Sequence, residues 1–192
     1  MAEVQLTINL NTMVPPPWMS RVMEAYRVAE MVDCLPEEVY RPGVSMVVQA
    51  ACLEMFFVHV RSLVAFLTLT HNNEAKDFTA KVVFDTFSPQ MSYQPPTDPD
   101  LLERLESYWV LASEQVVHFS KKRARQDDGT TIVPDVSPAT LYAIRDDVLT
   151  AWDHYAGQAT VGIFLMPRSK FTWRTAQHSG EPAATDTSAV EV

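Results

Sequence analysis

Between the turn at Pro42-Gly43 and the pair Asn72-Asn73, residues Val44 to Thr70 contain neither proline nor glycine and are apolar on nearly every side. A run of that length and pattern reads as one long helix, which must lie inside a protein core or inside a bilayer. Three ionisable side chains, Glu54, His59 and Arg61, fall in its middle, where each charge would be costly in lipid. The run is therefore expected to form the central helix of a bundle, and no membrane partner is expected.

Helices that could surround it are legible on both sides. Pro15-Pro16-Pro17 precedes Trp18, Val22, Ala25, Tyr26, Ala29 and Val32, which recur at three- and four-residue spacing, and Pro36 is expected to stop this helix. Asp98 and Pro99 form an N-cap and first-turn pair ahead of Leu101, Leu102, Leu105, Tyr108, Trp109, Ala112, Val116 and Phe119, predicting a helix to about Arg123. Ser137-Pro138 opens a further pattern through Leu141, Ile144, Val148, Leu149, Trp152 and Tyr155. The stretch between Asn73 and Pro99 mixes aromatic residues with prolines and reads as a packed, irregular connection. Val4, Leu6, Ile8 and Leu10 alternate with polar residues, predicting a short strand. Its partner is left open among Lys81 to Phe84, Val161 to Met166 and the same strand of a second copy.

The expected fold is thus all-α, an up-and-down bundle of about four to five helices. It divides into an N-terminal arm or strand at 1–16, the bundle at 17–160, a packed extension at 161–178 and a disordered tail at 179–192, where the composition turns to Gly, Ser, Thr, Ala, Pro and acid.

A formal charge of -9 disfavours indiscriminate attraction to nucleic acid. One dense basic run, Lys121, Lys122, Arg123 and Arg125, could make local phosphate contacts, or could simply complement the end of a helix dipole. The two cysteines, Cys34 and Cys52, show neither a disulfide nor a metal-binding spacing and are read as reduced thiols. No histidine has metal-ligand spacing, and no glycine-rich phosphate loop is present, so neither metal nor cofactor is expected. The first residues lack a charged and apolar leader pattern, which predicts a cytoplasmic location.

The polar interruptions of the central helix carry the chemistry. Glu54 and Arg61 lie seven residues apart, within about 20 degrees of one another around a helix, whereas His59 aligns with Cys52, Met55, Leu63 and Phe66. One reading pairs Glu54 and Arg61 with neighbouring helices and leaves His59 as a hydrogen-bonded core residue. The other sets His59 opposite His118 on an adjacent antiparallel helix. Two imidazoles would then share general base and acid work, with Arg61 or Arg123 holding a phosphate, an arrangement suited to metal-independent RNA cleavage. A small-molecule site near Trp109 and Trp152 is a third reading, although helical spacing already explains both as core.

Glu54, His59, Arg61, Leu63 and Phe66 in one helix, followed by His118 and Arg123 in another, resemble a group of small bacterial helical proteins related to the HEPN superfamily. The resemblance covers roughly Trp18 to Ala159. It implies a four- to five-helix bundle, commonly a homodimer, with polar residues of two central helices meeting at a cleft. Many such proteins are ribonucleases of toxin-antitoxin or phage-defence systems; others bind nucleotides or act without catalysis. The usual signature places Arg before His, and here His118 precedes Arg123. The alternative is a noncatalytic module for dimerisation or a protein partner.

Overall fold

A computed structural model describes residues 17–69, 78–87, 92–117, 136–158 and 167–171. Five helices account for most of them: α1 (Pro17–Val39), α2 (Met46–Thr68), α3 (Ala80–Phe87), α4 (Pro99–Val117) and α5 (Pro138–Gln158), followed by a 3-10 turn at Arg168–Lys170. The expected all-α bundle is present. The alternating arm, the Val161 to Met166 run and the tail lie outside the described residues.

The helix starts are fixed by local chemistry. Ser45 Oγ accepts a hydrogen bond from the Val48 N–H, so α2 begins at Met46, two residues later than the apolar run suggested. Asp98 accepts from the Asp100 N–H at 3.0 Å, and Ser137 from the Thr140 N–H at 3.2 Å, each ahead of a first-turn proline. Gly43, with φ of 81°, turns the chain between α1 and α2, and Leu69 closes α2 in the left-handed conformation at φ of 62°.

Two expectations are corrected. Pro36 does not end α1, which continues to Val39. Proline's φ is helical, and its missing N–H costs one bond to the carbonyl four residues earlier; in the last turn the helix tolerates that loss. Residues Lys81 to Phe84 are not a strand partner but the middle of α3. Val83 and Phe84 are buried while Lys81, Val82, Asp85 and Thr86 are exposed, a helical phase, and Lys81 pairs with Asp85 one turn on.

The long helices alternate in direction. Tyr40 donates to the Val136 carbonyl, Tyr142 to Glu37, and the Gln158 amide to the Gln94 carbonyl, so α5 runs antiparallel to both α1 and α4. Tyr93 donates to the Leu67 carbonyl at 2.7 Å while Arg61 meets Trp109, so α4 runs antiparallel to α2. Helix α2 touches α1, α4 and α5. Its core side, with Leu53, Phe56, Phe57, Val60, Leu63, Val64 and Leu67 nearly inaccessible, meets Val22, Ala29 and Val32 of α1, Leu105 and Ala112 of α4, and Leu141, Ile144, Val148 and Trp152 of α5 in one cluster. Each such side chain contributes about 1.5–3 kcal/mol on full burial. One end of the core is aromatic: Tyr155 contacts Phe66, Phe84, Tyr93 and Trp152 at centroid distances of 5.2 to 5.8 Å.

Candidate functional site

Helix α2 carries the three ionisable residues singled out from its sequence, Glu54, His59 and Arg61. One flank of it faces α1. There Ser62, Leu63 and Phe66 line an open groove of about 260 Å³ with Arg21, Glu24, Ala25 and Val28 of α1 and with Phe78. The Arg21 guanidinium covers the Phe78 ring at 5.7 Å. His59 lies one turn before Ser62 and Leu63, half-buried, and burial pulls its pKa below the ordinary histidine value, so at neutral pH it is uncharged.

The opposite flank faces α4. The Arg61 guanidinium stands 5.4 Å from the centroid of Trp109, a cation-π contact. Glu54, exposed, lies on this same flank two turns earlier. His59 and Arg61 therefore have different neighbours, as their spacing implied, and the described residues do not bring them into one cluster. His118, Lys121, Lys122, Arg123 and Arg125 lie outside the described residues.

The remaining polar clusters brace helices. Arg104 grips Asp147 through two hydrogen bonds of 2.8 and 3.0 Å, and Tyr108 donates to the same carboxylate at 2.9 Å, fastening α4 to α5. Burial pushes the Asp147 carboxyl up, but these two donors outweigh it and leave its pKa below the usual range. Asp153 holds both the Arg168 N–H and its guanidinium, bringing Phe171 onto the core beside Tyr26. His154 meets the Gln94 carbonyl at 3.0 Å. The thiols of Cys34 and Cys52 are both free; burial, with Asp33 adding to it, pushes Cys34 to about 11, and burial raises Cys52 as well. Both are therefore protonated and weakly nucleophilic at neutral pH. Among the described residues no three His, Cys, Asp or Glu side chains group to hold a metal. Trp152 is entirely core, while Trp109 carries Arg61.

The feature that sequence reasoning missed is the outward face of α2. Val47 and Met55 are exposed by 79% and 43% on one side of the helix, which Ala51 and Val58 share; Met46 and Val48, turned about 100° to either side of Val47, are exposed in the first turn by 59% and 49%. On α4, Val110 beside Trp109 is also exposed. The signal was present: a helix apolar all round has an apolar far side, and the three helices packed against α2 leave that side uncovered. By length and composition α2 could also cross a membrane; here its other side forms the bundle core. No family model, curated protein or solved structure matches the chain.

Proposed function

We propose that the chain works by association, as a noncatalytic helical module that docks a protein surface on the outward face of α2. The observation that carries this reading is the exposure of Val47, Ala51 and Met55, with Val58 partly exposed among them, along one side of the bundle's central helix. Contiguous exposed apolar surface of this kind marks protein contacts, and burying each such side chain yields about 1.5–3 kcal/mol before the costs of association. The Arg61–Trp109 pair beside the stripe adds residue types that are enriched in interface anchors. A photoreactive amino acid placed at Val47 or Met55 should give covalent adducts in cells, whereas one at Glu103, exposed on α4, should not. Equal labelling from all three positions, or none from α2, would defeat this reading.

A second reading, a HEPN-like RNA- or nucleotide-targeting domain, draws on His59. Burial keeps that imidazole neutral near pH 7, the state a general base requires, while Arg61, on the other flank of α2, would have to meet the phosphate from a different side. It predicts cleavage of an RNA pool in EDTA that is lost in His59→Ala and His118→Ala; an inert wild-type protein removes it.

A further inference from the structure

We propose that the partner of the α2 face is a second copy of this chain, with the two α2 helices crossing antiparallel about a two-fold axis near Val58. This rests on the docking reading and names its occupant.

The charge pattern of α2 is what singles out a second copy. Across Met46–Thr68 the only acidic residue is Glu54 and the only Lys or Arg is Arg61, in a chain with 24 acidic and 15 basic residues. Seven residues apart, the two occupy the same flank. A two-fold axis perpendicular to the helices brings like flanks together and reverses their direction. With the axis midway between Glu54 and Arg61, Glu54 of each copy meets Arg61 of the other, and both pairs form at once. The pairing is reciprocal, as an isologous interface requires, and a shift of one turn either way breaks both pairs.

The apolar residues obey the same symmetry. Val58, partly exposed on the outward face, falls at the crossing point, and Ala51 and Ala65 fall opposite one another about two turns to either side. Small residues at those positions let helices approach to about 8–10 Å. Met55 and Val47 extend the contact, and Val110 of α4, next to the Trp109 that holds Arg61 in place, widens it. A stable interface of standard size removes about 800 Å² per partner, more than one helix face supplies, so the flanking edges of α1 and α4 must join α2 in it.

The test uses full-length protein and light-scattering mass after size exclusion. Wild type should run at twice the 21.6 kDa chain mass. Glu54→Lys makes the flank positive and Arg61→Glu makes it negative, so each variant alone should fall to the monomer mass. An equimolar mixture should return to the dimer mass, because every cross-pair is then of opposite sign. Circular dichroism confirms folding, since Arg61→Glu also removes the contact with Trp109. A second measurement needs no charge change: Val58→Cys should form an interchain disulfide with diamide, while Val47→Cys, far from the axis, should not exceed the wild-type background of Cys34 and Cys52. A dimer indifferent to both charge variants, a mixture that stays monomeric, or equal cross-linking at 47 and 58 would overturn the proposal. A monomeric wild type that still gives adducts of other masses from position 55 would refute the second copy while leaving the docking reading intact.

Discussion

Two buried tyrosines, Tyr93 and Tyr155, touch each other in the aromatic end of the core, and removing their hydroxyls should have opposite effects. Tyr93 donates to the Leu67 carbonyl at 2.7 Å. Leu67 is in the last turn of α2, so its carbonyl has no partner within the helix, and it is fully buried. The Tyr155 hydroxyl is buried without a hydrogen-bond partner. An unpaired buried polar group costs about 1–3 kcal/mol, so Tyr155→Phe should stabilise by about 1 kcal/mol once the small void it leaves is subtracted. Tyr93→Phe strands the Leu67 carbonyl and should cost about 2 kcal/mol. For a chain of this size 1 kcal/mol moves Tm by about 2–4 °C. Calorimetric melts should therefore show Tyr155→Phe a few degrees above wild type and Tyr93→Phe about 4–8 °C below it. Burial holds both phenols well above their ordinary pKa of 10.0. Their contribution is complete below pH 10 and is lost as pH rises, because the unfolded chain ionises first. Tyr155→Phe should accordingly flatten the alkaline decline in stability. If Tyr155→Phe destabilises as much as Tyr93→Phe does, the assignment of an unpaired hydroxyl is wrong.

Further predictions concern the helix flanks. His59 has a pKa lowered by burial, so its contribution is present above the unfolded value of 6.5 and is lost as pH falls; His59→Leu should shrink the drop in Tm between pH 7.5 and 5, and NMR titration should find the imidazole below 6.5. Ser45→Ala removes the N-cap of α2 and should cost about 1 kcal/mol in urea unfolding without altering the m-value. Asp147→Asn loses the paired carboxylate under Arg104 and Tyr108; stability at pH 7 should drop, and the acid-side loss that wild type shows as Asp147 protonates should diminish.

What could be read from the sequence follows the range of each interaction. Asp98-Pro99 and Ser137-Pro138 set the starts of α4 and α5 by contacts spanning two or three residues, and both are visible in the string. The α3 segment was misread because Val82-Val83-Phe84 suits a strand and a helix equally, and only packing under Tyr93 and Tyr155 decides. Pro36 misled because proline's penalty depends on its distance from the helix end, which here is set by the Gly43 turn. For the site, the divergence of Arg61 and His59 is simple helical arithmetic. That Arg61 rests on Trp109 depends on the register of two helices separated by a long connection, which no local pattern records. The apolar outer stripe was visible as residues but not as exposure, since exposure depends on which sides of α2 its neighbours occupy.

The pairing of the first long helix with the last sets an order of events during synthesis. Helix α1 can dock on α2 as soon as the Gly43 turn has formed, but Glu37 must wait 105 residues for Tyr142. At about 5–20 residues per second on the ribosome, that side of α1 stays unpaired for roughly 5–20 s. The hairpin of α1 and α2 is thus the early folding unit, and closure of the bundle waits on the emergence of α5.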